Sequence, residues 1–221
     1  MIRRDYILRM IEQLTQALAG ARRRTEAGQY VEAGAELDQV FRELTGMGAD
    51  AVAKLSETEL LAQLTLDAPT LVVREKTLIL VGLLQEAGQV RAAQERDAEA
   101  ESCWLKALNL LLTIKLQDAE FEFPEFVPKI DLLRDQLRDA TLPLQTLAAL
   151  WRHYETIGAY ARAEDVLAAL LEAQPDNTAL LAEARMFYER LLRQSDYALE
   201  SGNLPRAEVE AGLAGLHSKP V

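Results

Sequence analysis

The side chains best suited to chemistry are few in this chain and poorly spaced for it. There are two histidines and one cysteine in 221 residues. A metal-binding or catalytic pair on a helix needs its second group three or four residues on, so that both project from one face. His153 is followed by Tyr154 and has no such companion, and His217 stands in the C-terminal tail. Cys103, beside Trp104 in a helical stretch, has no histidine or asparagine spaced to activate it and reads as a buried, inert thiol. Carboxylates are abundant, but Glu95, Asp97, Glu99 and Glu101 alternate around a helix as a solvated surface does. Helical carboxylate metal sites pair a glutamate with a histidine three residues on, and no Glu-x-x-His occurs. The glycines stand singly, so no glycine-rich loop cradles a phosphate. The expectation is a protein without catalysis, cofactor or metal. An enzyme built from carboxylates in a groove is the one catalytic alternative.

Charge narrows the partners. The formal charge is −11, which speaks against nucleic acid, because phosphate contacts need a basic surface. In the first 24 residues Arg3, Arg4, Arg9, Arg22, Arg23 and Arg24 face only Asp5 and Glu12. Six cations against two anions make +4 there and leave −15 for the remainder, an asymmetry that could steer head-to-tail self-association. The opening MIRRDYILRMIEQ is no signal peptide, since Asp5, Arg9 and Glu12 interrupt it. Apolar runs such as 78–84 are far short of the roughly 20 residues a membrane span needs, so no membrane partner is expected. A single cysteine excludes an intramolecular disulfide and fits a reducing compartment, and a cytoplasmic protein is the default.

Leu, Ala, Glu, Gln and Arg dominate, which favours helix throughout. One phrase recurs: EAGQYVEA at 26–33, EAGQVRAA at 86–93, TIGAYARA at 156–163 and ESGNLPRA at 200–207. Each copy has glycine, an apolar residue two on and alanine five on, with helical periodicity on both sides. It reads as the corner of a helical hairpin, glycine ending one helix in a left-handed cap and alanine marking a close approach of two backbones.

Around these corners the first helix carries Tyr6, Ile7, Met10, Ile11, Leu14, Leu18 and Ala21 on one face. Its partner presents Ala33, Leu37, Val40, Phe41 and Leu44. A short helix opens at the Ser56/Glu59 capping box. Between 71 and 84 apolar residues fall almost all round, which predicts the most central helix. The helix after Gly88 is expected to run on to about Leu116. The 121–126 stretch, FEFPEF, holds three of the five phenylalanines; it is either a linker with rings tucked under helices or a docking site.

Residues 144–175 show the clearest pattern. Leu147, Leu150, Trp151 and Tyr154 mark one helix, Gly158 and Tyr160 turn it, Ala163, Leu167 and Leu170 mark the second, and Pro175 closes the unit. This stretch resembles a tetratricopeptide repeat, a 34-residue helix pair with large apolar residues in its first helix, glycine before the turn, alanine early in the second helix and proline at the end. Trp151 and Leu170 depart from it, standing where the family prefers small residues, so the first helix is expected to stand off its neighbour. The last hairpin, 177–216, is a looser relative whose long first helix reaches Ala198. The resemblance implies an all-α fold: a right-handed α-solenoid of about four irregular hairpins, one domain over 1–216 with a frayed tail at 217–221. It also implies a concave protein- or peptide-binding face, onto which Gln145, Arg152 and Glu155 map. The alternative is a structural homodimer through Ile7, Met10, Ile11, Leu14 and Leu18. DYILRMIEQLTQALA, the EAGQY corner and FEFPEFVPKID also look similar to bacterial proteins grouped as a domain of unknown function, a resemblance over most of the first 140 residues that implies no activity.

Overall fold

A composition rich in straight-chain helix formers leaves little room for anything but helix. The computed structural model describes residues 2–65 and 70–217, and the described residues form twelve helices and no strand. They are α1 (Ile2–Glu26), α2 (Tyr30–Thr45), α3 (Ala49–Lys54), α4 (Glu57–Thr65), α5 (Thr70–Ala93), α6 (Asp97–Gln117), α7 (Ile130–Gln136), α8 (Leu144–Thr156), α9 (Tyr160–Ala173), α10 (Thr178–Leu192), α11 (Asp196–Ser201) and α12 (Arg206–His217). They divide into two compact units. The first is Met1–Ile114 with Glu120–Thr141, and the second is Lys115–Ala119 with Leu142–Val221.

The first unit is built on α5. Every residue from 77 to 88 is buried, in accord with the apolar run that marks it as central. On it pack α1, through Met10, Leu14, Ala17, Leu18 and Ala21, and α2, through Ala33, Leu37, Val40, Phe41 and Leu44. Cutting Leu14 back to alanine would cost about 2–5 kcal/mol, the usual range for a fully buried leucine. The capping box opens α4 as expected: Glu59 N donates to Ser56 Oγ at 3.3 Å, and Ser56 N donates to Glu59 Oε2 at 2.8 Å. The phenylalanine-rich stretch lies against the unit with its rings half-buried. Phe121 and Phe123 meet edge to face at 5.8 Å, the Arg74 guanidinium lies 4.2 Å over Phe121, and the Phe126 carbonyl approaches Gly82 of α5.

The four copies of the recurring phrase divide into two kinds. After Gly28 the chain closes with Gln29 N to Arg24 O at 2.8 Å and Gly28 N to Thr25 O at 3.0 Å, and after Gly158 the same paired bonds recur. Both glycines have φ of +74°, a left-handed position that suits glycine, and the alanines five on, Ala33 and Ala163, are fully buried. The other two copies depart from this pattern. Gly88 lies inside α5, which runs through it to Ala93, and the turn falls seven residues later with Glu95 left-handed at φ 60°. A Cβ at Gly88 would overlap the Trp104 indole of α6, so glycine is there for close packing. In the last copy Asn203 takes the left-handed place at φ 57°, while Gly202 is buried against Tyr160. The alanines of these two copies, Ala93 and Ala207, are exposed. The expected corner at 88 is thus corrected to 94–96.

The second unit starts with the α8/α9 hairpin. Trp151 is buried in it and meets Phe187 of α10 edge to face at 5.7 Å. Asn177 caps α10, accepting from Leu180 N at 3.0 Å. The helix expected to continue to Ala198 is broken at 193–195, because Ser195 caps a new helix, α11, by accepting from Ala198 N. Two corners then stack: Ala161 N donates to the Gly202 carbonyl at 3.0 Å.

Candidate functional site

Of the three side chains expected to meet a partner, Gln145 and Arg152 project from α8 into solvent. Glu155 does not stand free. It accepts two bonds from Arg190 of α10, from Nε at 2.6 Å and from Nη2 at 2.9 Å, so the pair ties α8 to α10. This is the planar bidentate geometry that arginine forms best with carboxylates.

The face expected to dimerise is covered within the chain. Met10, Leu14 and Leu18 are buried and Ile11 is half-buried, with α2 and α5 packed on α1, and the Ile7 side chain lies outside the described residues. A second copy would find Leu14 and Leu18 already used. In this structure α1 spends most of its apolar stripe on its own unit.

A cleft of about 420 Å³ lies in the first unit, where α2, the start of α3 and the last turns of α5 do not close on one another. Its surface is small and apolar at Gly34, Ala35, Ala49 and Ala87, and a Cβ added to Gly34 would meet nothing within 4 Å. Val31 stands on its rim 78% exposed. Arg42, Arg91 and Arg96 supply its cations and Asp38 and Asp50 its anions. Arg42 Nε donates to Asp38 Oδ2 at 2.7 Å, and Asp38 Oδ1 also accepts from Ala49 N at 2.7 Å. Burial pushes the Asp38 carboxyl up, but these donors outweigh it and hold the group below the usual range. Arg91 is buried and reaches Asp50 Oδ1 from Nη2 at 3.2 Å and Cys103 Sγ from Nη1 at 3.4 Å. Burial pushes the Cys103 thiol up, against the pull of Arg91, which makes it a poor nucleophile. A second hollow, of about 450 Å³, shares Asp50 and Arg96 and is lined also by Glu99 and Ser102.

A family model matches residues 1–220, nearly the whole chain. The chain belongs to the family of unknown function DUF6483. No curated protein matches it, and no solved structure does. The membership agrees with the resemblance noted at the N-terminus and extends it through the second unit.

The cleft of this DUF6483 member was not visible in the pattern of its sequence, though one signal was present. Arg91 falls on the stripe of Leu80, Leu84 and Ala87, at the i+4, i+7 and i+11 steps of one helical face. A cation in phase with buried apolar residues calls for a partner, and reading a corner at Gly88 hid the phase. Glu86 poses the same question nearby. It is 3% exposed and held by Arg22, itself 58% exposed, at 2.7 Å. Burial pushes its carboxyl up, with Arg22 offsetting part of the shift. In the second unit Glu164 accepts from the Tyr188 hydroxyl at 2.8 Å, and burial raises both groups. Among the described residues no three His, Cys, Asp or Glu side chains are placed to hold a metal ion, and no helix is long and apolar enough to cross a membrane.

Proposed function

We propose that the chain is a non-catalytic scaffold that binds a protein or peptide partner in the cytoplasm, using a face like that of tetratricopeptide arrays. One observation carries the reading. The helices α8 and α10 begin at Leu144 and Thr178, 34 residues apart, which is the length of one such repeat. The interval extends to individual side chains. Gln145, Arg152 and Glu155 have as their counterparts 34 residues on Ala179, Met186 and Glu189, all three exposed. The hairpins α1/α2, α5/α6, α8/α9 and α10–α11/α12 are, in this reading, the four irregular units of a right-handed solenoid. The irregularity has a source: α9 and α12 start 46 residues apart, and the excess over one repeat accommodates α11 and its cap. An exposed methionine suits a surface that must repack around a partner.

Affinity capture from the native cytoplasm tests this, with wild type beside an Arg152→Glu, Met186→Asp double variant and mass-spectrometric identification. A partner retained by wild type and lost by a variant with an unchanged circular-dichroism melt supports the reading. Equal retention by both chains, or a measurable turnover assigned to the purified protein, overturns it.

A further inference from the structure

Arg91 is poorly matched by the groups around it. A guanidinium removed from water is costly unless carboxylate or carbonyl oxygens meet its planar fork of donors. The Arg91 side chain is 7% exposed, yet the carboxylate that faces it, on Asp50, is 83% exposed and accepts a single bond of 3.2 Å. Glu99 lies 3.6 Å from Nε, and Nε itself, fully buried, has no hydrogen-bond partner among the described residues. Of the two contacts of Nη1, that to the Ala87 carbonyl is long, at 3.5 Å, and the other goes to a weak acceptor, Cys103 Sγ, at 3.4 Å. A buried cation is therefore held by two water-facing acids and leaves its Nε donor idle.

The same guanidinium lines the 420 Å³ cleft, a volume within the range of small-molecule sites. Beside it lie the apolar surfaces of Leu37, Ala87 and Val90 and the open space over Gly34. Three arginines and two aspartates line the cleft, and Glu99 pairs with Arg96 and Arg91 beside it, so its cations stand close to balanced in a chain of net charge −11. We propose that the cleft binds a carboxylate-bearing ligand with a short apolar body. The ligand's carboxylate takes the place of Asp50 on Arg91, and its body lies on Leu37, Val90 and the floor at Gly34. Exchanging one carboxylate for another keeps the charge at Arg91 balanced. It releases Asp50 into water that already surrounds most of it, so the displaced group gains back nearly full solvation. A neutral ligand of the same shape would displace Asp50 and leave the guanidinium with only the longer contact to Glu99, at 3.6 Å, which is where discrimination arises. This site belongs to the first unit and does not depend on the scaffold reading of the second.

Isothermal titration calorimetry with hexanoate, against hexanol as its neutral counterpart, tests the proposal on the full-length protein. A tripeptide, Ala-Val-Leu, with a free or an amidated C-terminus asks whether the carboxylate belongs to a polypeptide. Saturable one-to-one binding of hexanoate or of the free-acid peptide is expected, with the neutral counterpart weaker by about tenfold or more. Asp50→Ala should melt at a lower temperature than wild type and be restored by the carboxylate probe but not by the neutral one. Gly34→Leu, which fills the open space over Gly34, should abolish binding while keeping the wild-type melt. Binding of the peptide acid without hexanoate assigns the carboxylate to a partner's chain end. The proposal is overturned if no carboxylate probe binds wild type or Asp50→Ala up to about 10 mM, if acid and neutral probes bind equally, or if Gly34→Leu binds as wild type does.

Discussion

Gly202 packs closely against the ring of Tyr160, with its carbonyl taking the N–H of Ala161 and its Cα close to the carbonyl of Gly158. The last corner of the chain thus rests on the one before it. A Cβ at 202 would sit 2.5 Å from the Gly158 carbonyl oxygen and overlap the Tyr160 ring, and backbone cannot move aside as a side-chain tip can. Gly202→Ala should therefore destabilise the second unit by about 2–3 kcal/mol, as overpacking does. Gly28→Ala, where the added methyl meets open space but φ is +74°, should lose only about 1 kcal/mol from the left-handed strain. Urea denaturation of both variants checks the order, and a Gly202→Ala variant as stable as wild type would mean that the corners do not rest on each other.

Glu95 holds a left-handed conformation, φ 60°, on an exposed turn. It closes the end of α5 with the same paired bonds seen at the glycine corners, Arg96 N to Arg91 O and Glu95 N to Ala92 O, both 2.9 Å. Glu95→Gly removes the strain and keeps the bonds, so it should stabilise the protein by about 1 kcal/mol. A thermal melt that falls instead would show the Glu95 side chain to be needed.

Glu86 ties stability to pH. Its carboxyl is raised in the folded chain by burial, with Arg22 opposing in part. Between its unfolded value and its raised folded value the native state binds more protons than the unfolded state, so its contribution is fully present below the unfolded value and declines as pH rises through the folded one. The stability of wild type relative to Glu86→Gln should accordingly decrease from pH 4 upward and level off once Glu86 is ionised. Urea midpoints taken along a pH series measure this, and a difference that grows with pH would reverse the assignment.

The bidentate pair of Arg190 and Glu155 spans α8 and α10 with both side chains partly in water. Exposed pairs of this sort contribute little, and a double-mutant cycle with Arg190→Gln and Glu155→Gln should give a coupling of about 1 kcal/mol or less. Its larger effect is on availability. Arg190→Gln releases Glu155, and a captured partner carrying basic residues should then be held more tightly.

Cys103 should react with a thiol reagent only at the rate at which the protein opens. It is 1% exposed and its thiol is raised by burial. Labelling with a chromogenic disulfide should be slow in buffer and fast in urea. Stoichiometric labelling of the folded protein within seconds would contradict the packing of α6 on α5.

Local chemistry accounts for what could be read in advance. The Ser56/Glu59 box, the caps at Gly28 and Gly158 and the centrality of α5 each follow from residues a few positions apart. What escaped depends on neighbours distant in sequence. Gly88 is required by Trp104, and Gly202 by Tyr160, and neither contact leaves a mark on the local pattern. Nor does helical periodicity reveal a left-handed residue that is not glycine, which is why the turn at Glu95 was misplaced and the last corner's left-handed residue was set at Gly202 in place of Asn203. The break before α11 did have a local sign in Ser195, but the apolar spacing from Leu191 to Ala198 runs straight across it. The Arg91 cleft exists only because α2 and α5 end where they do, and Glu155 is occupied only because Arg190 arrives 35 residues later.

The first unit is not finished by the first stretch of chain. Val127, Ile130, Leu133 and Leu137 belong to its buried interior, and the carbonyl of Phe126 is set against Gly82. On a ribosome adding about 5–20 residues per second, α5 therefore emerges on the order of a few seconds before the segment that completes its unit. For that interval a helix with an unbroken buried stretch from 77 to 88 stands incompletely covered, so chaperones would meet this nascent protein at α5, and truncations ending between residues 90 and 125 should be the ones that aggregate.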